Sequence, residues 1–407
     1  MVRVAHFTDA AVGGANGIAS SIRLLVEALT GVGHDCAVVS GGPLWGAARG
    51  GAGAIRVPSM PTGMGDFRWS FFPIRTMRER VRDWRPDIAH VHSPGPLGLA
   101  GLALARRLGI PAVYTYHTDL HGYAQHYYVP TPVLRAGIAV YTRHLRCVTA
   151  TRPAGKYEVI EAGNARLFDA ADVIIAPTAS ALSRCRMAAF ADKVRVVPTP
   201  ALLPAAGTTG TEFRARVGVA AGAPVVMYLG RVSAEKGIRL LLDAFAVVRD
   251  RVPAARLLLV GPHCRRLGLR RLLHQTGLAA HTVVTGTLRG ADVTAAYRAG
   301  SVFAFPSLTD TQGIVLHEAA LAGLPIVMTD GRLHGSHPLA GAMRLTDPAP
   351  AAFAAGIAEL LRAPHDARRL GQRGRELARA HTPDRFADQT LRAYHDALTL
   401  SMIRASR

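Results

Sequence analysis

Two doubly wound α/β domains, each a parallel sheet with helices on both faces, are the fold this sequence predicts. Three observations lead there. The chain has 407 residues, more than one hydrophobic core usually serves. Its 49% hydrophobic content supplies two cores. Short apolar runs alternate with helical segments through both halves, as parallel strands joined by crossover helices do.

In the first half the predicted strands are residues 2–7, 36–40, 88–91, 112–116 and 173–176. The loop AAVGGANGIASSI after the first strand leads into a helix with Ile22, Leu25 and Leu29 on one face. It is not a strict GxGxxG, and by itself it is as well read as a tight turn. Residues 68–85, RWSFFPIRTMRERVRDWR, hold six arginines among aromatic residues. Ile74, Met77, Val81 and Trp84 make a helical stripe that reads as core packing before it reads as a membrane face, and both can hold at once, because Arg68, Trp69, Phe71 and Phe72 precede that helix and are free to be exposed. His90 and His92 alternate along a strand and share a face. With no third ligand at usable spacing they do not make a metal site. His117 follows the strand at 112–116, at the carboxyl end where ligands of parallel sheets collect.

The run VPTPALLPAAGTTG, residues 197–210, has three prolines and ends in small polar residues, as a linker does. The predicted domains are therefore 1–205 and 206–382, followed by a helical segment at 383–407. Strands of the second half are predicted at 225–229, 256–260, 282–285, 302–305 and 325–328.

Two segments of that half carry chemistry. APVVMYLGRVSAEKG, residues 223–237, is a buried strand, a glycine, and then Arg231 and Lys236 on a short loop. Two cations so placed grip a diphosphate, Arg as a planar fork and Lys as a point charge. Of 48 basic residues only Lys156, Lys193 and Lys236 are lysines, so a lysine on this loop stands out. FPSLTDTQGIVLHEAALAGLP, residues 305–325, sets Asp310 and Glu318 eight positions apart around a turn that opens a helix near Gly313. The first N–H groups of that helix have no intrahelical partner and suit a phosphate or a sugar hydroxyl. Glu318 is placed to accept from a ribose. Asp310 and the backbone of Gln312 and Gly313 are placed to meet the transferred group.

With these residues in view the chain resembles the family-4 retaining glycosyltransferases of GT-B fold. The matching residues are GR-x4-KG at Gly230 to Gly237, FPS-x-TDTQG-x4-EA with Asp310 and Glu318, YHT at Tyr116 to Thr118, and the opening FTD with its NG run at Phe7 to Gly17. The first acid is usually Glu in the family, and here it is Asp310, one methylene shorter. The resemblance implies two Rossmann-like domains facing a cleft, with the last helix crossing back to the first domain. It implies transfer of a hexose-type sugar from a nucleotide diphosphate sugar, no cofactor beyond that co-substrate, and no metal. The implied catalytic residues are His117, Arg231, Lys236 and Asp310, with His117 at the transferring sugar. The donor-binding residues are Gly14, Gly17, Gly230, Leu288, Gln312, Gly313 and Glu318, the base lying along 261–266 and 285–288. Asp9, Asn16 and Asp119 fall on the acceptor side. UDP and GDP both remain open.

The net charge of +20 calls for a partner or reflects an arginine-biased composition. An anionic membrane surface is one, each basic residue near lipid contributing about 1 kcal/mol. Nucleic acid is disfavoured: no such motif is present, and the charge is spread over both domains, including Arg265, Arg266, Arg270 and Arg271. FTD with NGI-x-SSIR, and HSPGPLG followed by YHTDL, look most like enzymes that glycosylate diacylglycerol or phosphatidylinositol-type lipids. A soluble acceptor such as an aminocyclitol antibiotic intermediate stays open, as does a catalytically silent sugar-nucleotide-binding protein. Cys36, Cys147, Cys185 and Cys264 lie far apart and read as reduced thiols. With no signal peptide and no apolar run of spanning length, the expected location is cytoplasmic and, on the lipid reading, peripheral on the inner face of the plasma membrane. The sequence leaves the oligomeric state open.

Overall fold

The computed structural model describes residues 1–12, 16–42, 53–62, 67–70, 75–126, 155–184, 187–205, 207–263 and 268–406, with isolated positions between 131 and 143. Gly14, Phe71, Phe72, Ile74, Cys147, Cys185, Cys264, Arg265 and Arg266 lie outside them. The chain divides into two compact units, Met1–Thr199 with Pro383–Arg407, and Pro200–Thr382. The division falls inside the proline-rich run at 197–210.

The first unit is built on an eight-stranded sheet in the order β4-β3-β2-β1-β5-β6-β7-β8. The strands are β1 (Arg3–Thr8), β2 (Asp35–Gly42), β3 (Ala54–Pro61), β4 (Arg68–Ser70), β5 (Ile88–Val91), β6 (Ala112–Thr115), β7 (Val173–Ala176) and β8 (Val194–Val196). Successive side chains of a strand point to opposite faces, and two cores result. Ala5 and Phe7 of β1 pack with Met77, Val81 and the helix Pro96–Leu108. Val4 of the same strand packs with Leu25, Leu29, Phe386 and Tyr394. The helix Pro383–Ala405 thus belongs to this unit, where Asp396 meets Arg195 at 2.7 Å and Arg404 meets Asp172 at 2.6 Å.

The second unit carries a six-stranded parallel sheet in the order β11-β10-β9-β12-β13-β14. Its strands are β9 (Val225–Leu229), β10 (Arg256–Val260), β11 (Thr282–Gly286), β12 (Val302–Phe305), β13 (Ile326–Met328) and β14 (Met343–Leu345). Here too alternate residues divide. Val226 and Tyr228 face one core with Leu241 and Phe245, while Val225 and Met227 face the other with Phe303 and Leu316.

All ten predicted strands form, and four more, β3, β4, β8 and β14, were not foreseen. Three of these are only three residues long, too short to show a period, and β3 contains two prolines. β4 also corrects the expectation of purely parallel pairing, because it runs antiparallel to β3 with Met60 opposite Trp69. A second correction concerns Arg68. Its guanidinium donates to the Ser59 Oγ (2.8 Å) and carbonyl (2.8 Å) and to the Gly42 carbonyl (3.3 Å), so it ties the sheet edge together rather than reaching into solvent. Trp69 is exposed as expected (53%). On the helix Arg75–Trp84, Met77 and Val81 are buried and Trp84 stacks under the Arg3 guanidinium (4.7 Å), leaving the arginine face outward. Among the described residues no helix is long and apolar enough to cross a membrane.

Candidate active site

The basic loop and the acidic turn of the second unit meet. β9 and β12 are hydrogen-bonded neighbours, so the loops after their carboxyl ends lie together. Lys236 Nζ donates to Asp310 Oδ1 at 2.8 Å, and both side chains are largely buried. Gly237 makes this approach possible. Its φ is +72°, and a Cβ there would sit 2.4 Å from the Pro306 carbonyl oxygen, so neither the backbone angle nor the space suits another residue. Below the loop, buried Glu235 accepts from Ser233 Oγ (2.7 Å) and pairs with Arg231 Nε (3.2 Å). Thr309 Oγ1 donates to the Glu235 carbonyl at 3.0 Å, a second tie between the two loops. Sequence reasoning missed Glu235, whose acidity between two cations was the available signal.

Gly313 stands at φ +72°, ψ +72° as the residue before the helix Ile314–Leu321, so the helix starts where the sequence placed it. Gln312 before it is buried. Glu318 lies on the second turn, half-buried, and accepts from Tyr297 Oη at 2.7 Å. Burial raises its carboxyl above the usual range, the Tyr297 bond opposing, and burial beside this carboxylate pushes the Tyr297 phenol up as well. Leu288 packs partly buried beside the core that contains Phe303 and Leu316. Gly230 follows β9 and is held by its N–H to the Val260 carbonyl at 2.9 Å.

His317, the neighbour of Glu318, is buried, and neither ring nitrogen has a hydrogen-bond partner among the described residues. Its ring lies 5.0 Å from that of His337 and 5.4 Å from that of His381. Burial holds His317 down to about 3. The sequence assigned His337 no role, and the structure places it in the core.

In the first unit His117 follows β6, and burial lowers it to about 4. Its Nε2 lies 3.1 Å from His92 Nδ1, and His92 Nε2 lies 3.0 Å from His6 Nδ1. His6 was not foreseen: the sequence found no third histidine for His90 and His92, and β1 supplies it through its pairing with β5. His6, His90 and His92 each bring a ring nitrogen within 4.8 Å of the others. His90 bonds Tyr394 Oη (2.7 Å) and Thr115 Oγ1 (2.6 Å), so five of the six nitrogens of this trio are already engaged by side chains. The trio is a hydrogen-bonded cluster rather than a set of open donors.

The residues expected on the acceptor side have structural employment. Asp9 is buried, accepting from Ser93 Oγ (2.5 Å), Leu97 N (3.0 Å) and Gly98 N (3.3 Å), and so closes the start of the helix Pro96–Leu108. Burial raises its carboxyl, these bonds opposing. The Asp9 carboxylate, expected on the acceptor side, is thus engaged by the start of that helix. Asn16 caps the helix Gly17–Gly31 by accepting from Ala19 N at 2.8 Å, and Gly17 is its first residue. Asp119 is buried and accepts from Gly122 N at 3.1 Å, closing the short helix Leu120–His126. Cys36 is partly buried and its thiol is pushed up to about 11 by burial, as an inert thiol should be.

Two doubly wound units, with glycine-bounded loops at the carboxyl ends of their strands, define a GT-B glycosyltransferase. Residues 15–201 match the model described as glycosyltransferase family 4, and residues 223–363 the model described as glycosyl transferases group 1. The chain belongs to the family-4 glycosyltransferases, a retaining family. It is 28% identical over 341 residues to the GDP-mannose-dependent alpha-mannosyltransferase of Mycolicibacterium smegmatis, covering 81% of this chain and 80% of that one. It is 26% identical over 372 residues to the alpha-monoglucosyldiacylglycerol synthase of Streptococcus pneumoniae, covering 84% and 77%. Among solved structures, Anabaena HepE in complex with UDP and glucose superposes with a TM-score of 0.70 at 16% identity, covering 96% and 99%.

Proposed function

We propose that this glycosyltransferase moves a hexose from a nucleotide diphosphate sugar to a hydroxyl of a membrane glycolipid precursor. The observation that carries the donor half is the Lys236–Asp310 pair at 2.8 Å. It holds a cation meant for the diphosphate against a carboxylate meant for the sugar. Arg231 and Lys236 stabilise the charge that gathers on the leaving diphosphate, an effect that grows toward the transition state. Asp310 and the first N–H groups of the helix at Gly313 take sugar hydroxyls, and Glu318 takes the ribose. With retention, the C1–O bond to the diphosphate breaks and the acceptor oxygen bonds C1 on the same face. The acceptor proton passes to a phosphate oxygen of the leaving group. Neutral His117 contributes as a dipole beside the developing positive charge. No step in this scheme calls on a metal.

The lipid acceptor is supported by the pneumococcal relative, an alpha-monoglucosyldiacylglycerol synthase, and by the surface near β4. Exposed Trp69 and Met60 stand opposite each other beside the outward arginine face of residues 75–84, an arrangement suited to an anionic bilayer. The test is a donor screen with purified protein, UDP- and GDP-sugars being offered with lipid or polar acceptor mixtures and products read by mass. A glycosylated lipid is the expected product. Glycosylation of polar acceptors alone overturns the lipid assignment, and no transfer from any nucleotide sugar overturns the donor assignment.

A further inference from the structure

β1, β5 and β6 lie side by side, and each sends one histidine into an unbroken line. His6 comes from β1, His92 directly follows β5, and His117 follows β6 by two residues. The contacts are His6 Nδ1 to His92 Nε2 at 3.0 Å and His92 Nδ1 to His117 Nε2 at 3.1 Å. Adjacent rings are nearly parallel, at 27° and 25°. We propose that His6 and His92 are positioning residues that fix the tautomer of His117, keeping its proton on Nδ1 while its Nε2 accepts from His92.

The direction follows from counting protons. Each N···N hydrogen bond needs one proton, and a neutral imidazole brings one. His92 sits between two such bonds, so it donates through one nitrogen and accepts through the other, and the whole line runs one way. Run inward, the line ends with an N–H on His6 Nε2. That atom is buried with no partner among the described residues, and a buried donor left unpaired costs about 1 to 3 kcal/mol. Run outward, His6 Nε2 holds only a lone pair, and unpaired buried acceptors are tolerated more often than unpaired donors. His6 Nδ1–H then donates to His92, His92 Nδ1–H donates to His117 Nε2, and the last proton rests on His117 Nδ1. Burial keeps the rings neutral, as the count requires, lowering His6 to about 3, His117 to about 4, and His92 well below its ordinary value. A histidine next to a reacting sugar gains from such fixing, because its partner decides which nitrogen donates.

The inference rests on the reading of His117 as a site residue, but its test needs no substrate. Ring-nitrogen NMR on the 15N-labelled full chain, with the His117 signals identified by their loss in His117→Gln, reads the tautomer directly. The expected result is a protonated Nδ1 and a bare Nε2. In His92→Phe, which keeps a flat ring, His117 should become a tautomer mixture. Its kcat should then fall about 10- to 100-fold, the usual cost of removing an orienting partner, with donor KM unchanged. A wild-type His117 protonated on Nε2 overturns the proposal even if His92→Phe does not fold. A loss of kcat in His92→Phe with the His117 tautomer intact also overturns it, by giving His92 a packing role. An inactive donor screen leaves the tautomer result standing, so the two readings fail separately.

Discussion

Lys236 Nζ and Asp310 Oδ1 are 2.8 Å apart although 74 positions separate them in sequence, and each side chain is more than four-fifths buried. In a partly desolvated place such a pair is set in advance, and in the proposed mechanism the cation then need not be recruited when the leaving group gains charge.

Lys236→Ala should lower kcat/KM by about 2 to 4 kcal/mol equivalent, the scale for one preorganised electrostatic group. It also strands the Asp310 carboxylate, so Lys236→Arg is the companion variant, restoring the charge without the compact ammonium. Steady-state kinetics with the best donor from the screen decides the matter. Unchanged turnover in Lys236→Ala would remove the residue from the mechanism.

Asp310→Glu restores the carboxylate length usual in the family, and the expected outcome is an altered ranking of donor sugars in an intact fold. Glu318→Gln keeps an acceptor for Tyr297 Oη, which now bonds the carboxylate at 2.7 Å, but loses the charge, so donor affinity should weaken. Titration calorimetry with UDP and GDP reads the second effect. Identical donor profiles for wild type and Asp310→Glu would take the shorter side chain out of the specificity argument.

Acid should destabilise this protein through its buried histidines. Burial lowers His6 to about 3, His117 to about 4 and His317 to about 3, against 6.5 when unfolded. The unfolded chain then binds more protons than the native one between roughly 6.5 and 4, so stability is full above that range and falls as pH drops through it. One pH unit below 6.5 each such histidine costs about 1.4 kcal/mol. Urea unfolding at pH 7.5 and 5.5 measures this. Equal midpoints at the two pH values would mean that the histidines are not held neutral.

Vesicle co-sedimentation tests the membrane seat. Binding to anionic vesicles at low salt and release at 1 M salt are expected, the Debye length falling to about 3 Å. Because Arg68 is engaged in the sheet edge, the informative variant replaces Arg75, Arg80 and Arg82, which are exposed, by Gln, together with Trp69→Ser. Wild-type protein that stays in the supernatant with anionic vesicles contradicts the membrane seat.

The amino-acid sequence alone determined two doubly wound units, the ten principal strands and the helix start at Gly313, and it singled out Arg231, Lys236, Asp310 and Glu318. These are properties of short windows: apolar period, glycine at a positive φ, and cations or acids next to a turn. The three-residue strands β4, β8 and β14 escaped because so few residues carry no period. What only the tertiary structure decided is which distant groups meet. The order β1-β5-β6 brings His6 to His92 and His117, and the neighbourhood of β9 and β12 brings Lys236 to Asp310. The same level made Asp9, expected on the acceptor side, a helix closure, and Arg68, expected to be exposed, an edge fastening. Strand order is set by how whole faces of helix and sheet bury together, so no local pattern states it, and the partner of a charged side chain follows from that order.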